Sequence, residues 1–192
     1  MSPLTHFLAG WALAEVGAVT PRERFWITMA SVAPDLDGLG IVIDLANDWT
    51  GRPASEWFAT QHHWLFHGLF GAAVIVALAR LCRVTRTAAL FWVFASFHLH
   101  LLCDLVGSRG PIAWHLWPID YLGPFSHSAS FFWKHQWPLN GWQNMAFSIA
   151  LIAFALVRAV QKGRSPVMLV NARWDGQVVD ALRRRWSALR NP

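Results

Sequence analysis

The chain has 192 residues, about the length of one domain, and is 55% hydrophobic with only 14% charged residues. A soluble domain usually carries about 25% charged residues, and thirteen Trp beside a single Tyr would leave such a domain with more apolar surface than it can bury. Of the net charge of +5, residues 158–192 contribute +6, from eight Lys/Arg and two Asp, and residues 1–157 contribute −1. This distribution favours a cytoplasmic flank of a membrane span over a nucleic-acid surface.

Five apolar runs follow one another along the chain. They cover about 4–19, 25–45, 57–79, 87–103 and 135–157. A spanning helix needs about 20 apolar residues, so the last three runs qualify or nearly qualify. The first two carry polar groups and fit a buried or half-inserted position. We predict an all-α, polytopic membrane bundle with about four to five apolar helices; a soluble helical bundle is the alternative.

Basic residues mark one end of these runs and continue into the C-terminal tail. They cluster at Arg22/Arg24, Arg80/Arg83/Arg86 and Arg158/Lys162/Arg164, and the positive-inside rule places these clusters in the cytoplasm. We therefore expect a membrane-embedded domain, 1–162, and a cytoplasmic tail, 163–192. The tail has Val178, Leu182, Trp186 and Leu189 at helical spacing, with Arg183, Arg184, Arg185 and Arg190 over much of the rest. This pattern predicts a basic amphipathic helix on anionic inner-leaflet lipids; a partner-binding helix is the alternative.

A group of His and Asp residues falls at the opposite ends of the predicted helices. The group comprises His6, Asp35, Asp37, His62, His63, His67, His98, His100 and Asp104. Ionisable groups at membrane depth are costly, so their convergence predicts a functional site. His100/Asp104 and His63/His67 are four residues apart and would share a helix face. Asp35 and Asp37 follow Pro34, and in a looped backbone both carboxylates would face one cavity.

Imidazole and carboxylate groups without Cys are the ligands of Zn²⁺, Mn²⁺ or Fe²⁺ sites. More than four candidate ligands suggest two ions with a carboxylate between them. Single residues allow other interpretations: His6 as an interfacial or capping residue, Asp35 and Asp37 as a helix-breaking turn, and His98 as a packing residue. Interfacial or substrate-facing roles are favoured for His115, His127 and His135.

Four stretches resemble, in order, four blocks of the YdjM-like bacterial inner-membrane proteins, which are predicted metal-dependent hydrolases. They are LTHFLAGW, APDLDG, HHWLFHGLFG and HLHLLCDLVGSRGPIAWHLWP, within residues 4–118. The resemblance implies metal ligation by His6, Asp35, Asp37, His62, His67, His100 and Asp104. It favours His62 over His63, which becomes a neighbour of the ligands. The chain departs from the family at Gly38, where the family has His, and at His63-Trp64, where it has Arg-Gly.

The resemblance implies a multi-pass protein of the bacterial inner membrane that uses one or two divalent ions, Zn²⁺ first. A more distant likeness to zinc-dependent phospholipase C, which uses a His-x3-Asp pair, implies hydrolysis of a phosphoester in a lipid or lipid-linked substrate by metal-activated water. Asp37 and Asp104 are the expected catalytic carboxylates, and Arg109, Lys134 and His63 are candidate substrate contacts. The site would face the periplasm and the C-terminus the cytoplasm. The alternative is a non-catalytic metal-binding or stress-related structural membrane protein.

Overall fold

Side-chain caps set the starts of the first two helices in the computed structural model, which describes residues 1–16, 20–53, 55–110 and 114–190. The Ser2 hydroxyl accepts a hydrogen bond from the Thr5 N–H (3.2 Å) at the first helix. At the second, Thr20 and Glu23 form a capping box: each side chain accepts the other residue's backbone N–H, at 3.2 and 2.8 Å. These bonds satisfy amides that have no partner within the helix itself.

Helices account for most of the described chain, as predicted. They are α1 (Pro3–Ala14), α2 (Pro21–Ala30), α3 (Gly40–Trp49), α4 (Trp57–Gln61), α5 (Leu69–Leu81), α6 (Thr87–Gly107), α7 (Trp142–Lys162) and α8 (Ala172–Arg190), with 3-10 helices at Ala33–Leu39 and Pro166–Leu169. Strands β1 (Ile119–Asp120) and β2 (Ser130–Phe131) pair antiparallel, with Ile119 opposite Phe131. Residues 17–19 of the first apolar run and the side chain of Arg190 lie outside the described residues.

Helix α6 lies at the centre of the bundle and packs against α1, α2 and α5. Its Val93 and Phe97 are fully buried in one cluster with Ile27 of α2 and Ala72 of α5. A smaller cluster joins Trp11 of α1 to α7. Alanine recurs through the main cluster, and such small side chains let helix backbones approach closely. The centre of α6 therefore fixes the relative positions of α1, α2 and α5.

Two helices in the described part of the chain, α6 and α7, are long and apolar enough to cross a membrane. A third crossing is reached if α2 and the Ala33–Trp49 stretch, bent by 51°, form one broken span. The predicted number of four to five is not confirmed. The run 57–79 is divided because α4 ends at Gln61 and α5 begins only at Leu69. Helix α5 has 13 residues and is about 20 Å long, shorter than the hydrocarbon core of about 30 Å.

The prediction that Asp35 and Asp37 face one cavity is wrong. The segment Ala33–Leu39 winds into a 3-10 helix instead of a loop, with Pro34 in its first turn. Three residues per turn place side chains two positions apart at about 120° around the axis. Asp35 consequently approaches His100 of α6, whereas Asp37 hydrogen-bonds to the segment 62–67.

Basic residues from three parts of the chain meet around buried Glu15, at the C-terminal end of α1. Arg164 forms a two-pronged contact with the carboxylate, Nε–Oε1 and Nη2–Oε2 both at 3.0 Å. Arg158 of α7 contributes Nη2–Oε2 at 3.3 Å, and Arg24 of α2 also pairs with Glu15. Burial alone would raise the pKa of Glu15, but the bond from Arg164 and the three positive charges hold it below the ordinary value. The carboxylate thus ties α1 to α2, to α7 and to the segment before α8.

The C-terminal tail contains the predicted helix, α8, and the amphipathic character expected of it stays a prediction. Asp175 accepts the Ser165 N–H (2.8 Å), and Val179 is buried. Val178 is 38% exposed and Leu189 is 79% exposed. Val179, beside the predicted stripe, is thus buried, whereas Val178 and Leu189 of the stripe stay exposed.

The hairpin β1–β2 is anchored to the segment 62–68 by a close backbone contact. Leu69 N–H donates to the Tyr121 carbonyl oxygen at 2.8 Å. A Cβ at Gly68 would lie 2.5 Å from that oxygen, so only glycine allows this approach. The hairpin is thereby held beside the histidine-rich segment.

Candidate metal centre

The pair His100 and Asp104 lies on one face of α6, as its spacing predicts. His100 Nε2 and Asp104 Oδ2 are 2.9 Å apart, and both side chains are buried. The other ring nitrogen of His100 donates to the Ser31 carbonyl oxygen at 2.8 Å. That bond fixes the ring and leaves Nε2 with its lone pair directed at the carboxylate. Asp104 Oδ1 accepts from Ser108 Oγ (2.6 Å) and also contacts the Met1 amino group.

His6 of α1 joins this pair from the opposite side. Its ring stacks on that of His100, with centroids 3.7 Å apart. His6 Nε2 lies 3.1 Å from Asp104 Oδ1, yet neither ring nitrogen makes a hydrogen bond of normal geometry within the described residues. A fully buried imidazole without such bonds is uncommon. Its position beside a carboxylate is typical of a metal ligand.

Asp35 is the fourth candidate metal ligand in this group. Its Oδ1 is 3.8 Å from His100 Nε2, and its buried Oδ2 has no hydrogen-bond partner within the described chain. His6, Asp35, His100 and Asp104 each offer one ligand atom within 4.8 Å of the others. Nitrogen and oxygen ligands of tetrahedral zinc lie about 3.3 Å apart, given bonds of about 2.0–2.1 Å. Two imidazoles and two carboxylates therefore fit one divalent ion.

Asp37 organises the irregular segment that follows α4. Its Oδ1 accepts from His62 Nδ1 (2.8 Å), and its Oδ2 accepts from His67 Nδ1 (2.9 Å) and from the Phe66 N–H (3.1 Å). A carboxylate bonded to one ring nitrogen leaves the other nitrogen free to bind metal, and metal-bound histidines have such partners. Asp37, predicted as a ligand and catalytic carboxylate, is hydrogen-bonded to two of the predicted ligands, and its predicted roles stay predictions.

His67 brings the segment 62–67 to the helix pair. Its Nε2 is 3.2 Å from His100 Nε2 and 3.5 Å from Asp104 Oδ2. Two ring nitrogens and a carboxylate oxygen face one another here, and all three are acceptors unless a proton or a metal ion lies among them. The surroundings of His67 thus favour a cation.

Two cavities adjoin the cluster and share His62, His63, Phe58 and Trp117 in their walls. The smaller one, about 490 Å³, also reaches Asp35, Asp104 and Arg109. Both backbone groups of Arg109 are held by the segment 137–139, through Trp137 O (3.1 Å) and Leu139 N (2.9 Å). Its Nε is buried without a hydrogen-bond partner in the described residues. The cavity thus combines carboxylates, imidazoles and one guanidinium group.

Other predicted residues lie away from the centre. Lys134 is exposed in the turn after β2 and lines neither cavity. His115 and His127 line the larger cavity, of about 730 Å³. His98 points away from His100 and its Nε2 is 3.0 Å from the Tyr121 hydroxyl. His135 is exposed beside Trp133.

Gln136 was not predicted, although it connects the outer loop to the centre. It is buried, accepts the Trp117 N–H at 3.0 Å and donates to the Trp117 carbonyl oxygen at 2.9 Å. A longer contact, 3.5 Å, reaches the carbonyl oxygen of Asp104. It therefore fixes the wall that both cavities share. A single Gln in a loop has no periodicity or spacing that could have revealed this role.

The fold and the cluster together define a class: a helical membrane protein with a buried His/Asp centre that opens into a cavity at one end of its central helix. A sequence profile of the YdjM inner membrane protein family matches residues 1–171. The chain belongs to this family, and the match extends the predicted resemblance from 4–118 through α7. No curated protein and no solved structure matches the chain, and the phospholipase C likeness stays a prediction.

Proposed function

We propose that this protein is a membrane-embedded, metal-dependent hydrolase that acts on a phosphoester of a lipid or lipid-linked substrate. The observation that carries the proposal is the grouping of His6, Asp35, His100 and Asp104, whose ligand atoms lie within 4.8 Å of one another. The ring nitrogens of His6 and Oδ2 of Asp35 are buried there without hydrogen-bond partners in the described residues. A divalent ion held by His6, Asp35, His100 and Asp104 would satisfy these atoms. Zn²⁺ suits the mixed nitrogen and oxygen set best, and Mn²⁺ or Fe²⁺ would also be accepted.

When bound, such an ion supplies a nucleophile by lowering the pKa of a water and stabilises charge on a phosphoryl oxygen. Asp104 and Asp35 line the smaller cavity and are the carboxylates that can reach a substrate there. Asp37 has a fully buried carboxylate occupied by three hydrogen bonds. We therefore assign proton transfer to Asp104 or Asp35 and positioning to Asp37.

Arg109 provides the contact for the substrate's anionic group. It lines the same cavity as Asp35 and Asp104, and its buried Nε has no hydrogen-bond acceptor among the described residues. A guanidinium group binds phosphate oxygens through two parallel N–H bonds. Because the rest of this cavity includes Phe58, Trp117 and Leu139, it also suits an apolar part of the substrate.

A lipid substrate is supported by the apolar surfaces beside the centre. No residue of α3 is buried, and Ile41, Val42 and Leu45 are exposed. Large exposed apolar surfaces of this kind mark membrane contact. We propose that α1 and α5 add partial crossings to those of α6, α7 and the bent pair, giving four to five apolar helices. The basic end around Glu15 would face the cytoplasm by the positive-inside rule, and the His/Asp centre would face the periplasm.

The tail supports a peripheral contact on the cytoplasmic side. Trp174 and Leu189 of α8 are exposed, and Arg184 and Arg185 lie on the same helix. We propose that these residues contact anionic inner-leaflet lipids. Protease added to inside-out vesicles should remove α8, and protection of α8 in those vesicles would contradict this orientation.

Metal content tests the centre. Protein purified in detergent without chelator should contain bound metal, and His100→Ala and Asp104→Ala should lower that content to less than half. His98→Ala is the matched control because His98 lies on the same helix but bonds to Tyr121. Metal-free wild-type protein, or equal metal content in all four proteins, would exclude the centre.

Turnover tests the activity. Metal-loaded protein should hydrolyse a member of a panel of phospholipids and isoprenoid phosphates, and chelator should abolish the reaction. Asp104→Ala should lose the turnover, whereas His98→Ala should retain it. Metal-loaded protein that turns over no member of the panel would favour the non-catalytic, metal-binding alternative.

A further inference from the structure

His63 has the features of a ligand and lacks those of a packing residue. Its side chain belongs to a residue only 8% exposed, and its Nδ1 is buried without a hydrogen-bond partner in the described chain. Buried ring nitrogens that serve packing alone are normally hydrogen-bonded. An unpartnered nitrogen at this depth indicates an acceptor for a group that binds there.

The backbone of His63 has an unfavourable conformation that directs its side chain toward the other two histidines. Its φ is 70°, in the left-handed region that residues other than glycine seldom adopt. Such strain costs on the order of 1–3 kcal/mol and clusters at functional sites. The turn places the His63 ring parallel to that of His67, with centroids 4.2 Å apart, and 4.3 Å from the His62 ring.

The three histidines form a second group beside the first. Each offers one ligand nitrogen within 4.8 Å of the other two. Asp37 holds Nδ1 of both His62 and His67, so their Nε2 atoms are the ones available. The group is joined to the first centre by Asp104, whose Oδ2 lies 3.5 Å from His67 Nε2 and 2.9 Å from His100 Nε2.

We propose that His62, His63 and His67 bind a second divalent ion, with His63 as a direct ligand and Asp104 between the two ions. The proposal rests on the proposed first centre. Three imidazoles are a ligand set suited to Zn²⁺ and leave a fourth position open. His62 and His63 line both cavities, so an ion held by the three histidines would be within reach of a molecule bound there. The second ion would thus lie at the cavity that Arg109 also lines.

The test measures metal stoichiometry and needs no substrate. Detergent-purified protein is loaded with excess Zn²⁺, desalted and analysed for metal, and Co²⁺ absorption spectra report the ligand geometry of each ion. Wild-type protein should bind two ions and His63→Asn one. Asn is chosen because it tolerates positive φ, and His63→Gly is the second variant for the same reason. His115→Asn is the matched control, because His115 lines the larger cavity but belongs to neither group.

Each outcome decides between the two proposals. Two ions in the wild type, one in both His63 variants and two in His115→Asn support the second site. If the His63 variants do not fold, two ions in the wild type and a single remaining ion in His100→Ala, with a tetrahedral Co²⁺ spectrum, also support it. One ion in the wild type that His100→Ala removes would overturn the second site and leave the first. No ion in the wild type would overturn both.

Discussion

The contact between Gly10 and Ser31 offers a direct test of how helix packing holds the centre together. Gly10 lies on α1, and a Cβ there would be 2.0 Å from Ser31 Oγ and 2.7 Å from Ser31 Cβ. The single proton of Ser31 Oγ is shared between the carbonyl oxygens of His6 (2.7 Å) and Thr28 (2.8 Å). Its own carbonyl oxygen accepts from His100 Nδ1. Gly10→Ala should therefore displace both His6 and His100.

The expected decrease in the free energy of unfolding of Gly10→Ala is the sum of two destabilising effects and one stabilising effect. Forcing a methyl group into a packed contact costs roughly 1–3 kcal/mol, and losing the Ser31 hydroxyl bonds costs about 1 kcal/mol more. The higher helix preference of alanine over glycine stabilises the folded state by about 1 kcal/mol. The net loss is about 1–3 kcal/mol, which lowers the melting temperature by on the order of 5 °C. Metal affinity should fall roughly 10-fold or more, because Ser31 orients a ligand.

Thermal unfolding in detergent and Zn²⁺ titration measure these two effects. Gly176→Ala is the matched control: Gly176 lies within α8, and nothing is within 4 Å of its Cβ position. There the helix preference of alanine acts alone, so this variant should be as stable as the wild type or slightly more so. If Gly10→Ala behaves like Gly176→Ala in both assays, α1 does not press on Ser31 and the packing argument is refuted.

Three further substitutions test separate parts of the structure. Glu15→Gln should destabilise the protein at neutral pH by less than the roughly 3–5 kcal/mol of a fully buried pair, because Arg158 and Arg164 are partly exposed. Because the pKa of Glu15 is held below its ordinary value of 4.5, this stabilisation exists above that pH. The difference in melting temperature should shrink as the pH falls further, and a constant difference would contradict the ion pairs. Gln136→Leu should cost about 1–3 kcal/mol by leaving backbone groups unpaired while metal content stays unchanged; loss of metal would show a more direct role. Arg109→Gln should raise the phosphate concentration that half-inhibits the proposed phosphoester hydrolysis roughly 10-fold at unchanged metal content. An unchanged inhibitory concentration would remove Arg109 from the substrate site.

The sequence was sufficient to predict the helical class and the pair on α6, because both depend on local periodicity. His100 and Asp104 lie within an uninterrupted helix, so their spacing translates directly into a shared face. The failures concern segments whose conformation is set by distant contacts. Asp35 and Asp37 diverge because Ala33–Leu39 is a 3-10 helix, and a proline followed by two carboxylates is compatible with either a loop or such a helix.

The run 57–79 was misjudged for a related reason. It contains no charged residue, and hydropathy therefore predicts one spanning helix. Its polar partner is Asp37, 29 residues before Phe66, and that carboxylate needs donors when buried. It takes them from His62, His67 and the Phe66 N–H. A continuous helix could not offer the Phe66 amide, which would be bonded within the helix.

The two segments that interrupt the apolar runs, Ala33–Leu39 and 62–68, are hydrogen-bonded to each other. In a membrane protein, non-helical backbone within the bilayer is tolerated only where it is buried in protein or lines a cavity. Ala33–Leu39 and 62–68 meet beside the cavities that His62 and His63 line. Asp37 belongs to the first segment and accepts hydrogen bonds from the second. The same carboxylate directs the free nitrogens of His62 and His67 toward the centre. The interruptions that reduce the number of full-length spans are therefore the features that assemble the proposed metal site.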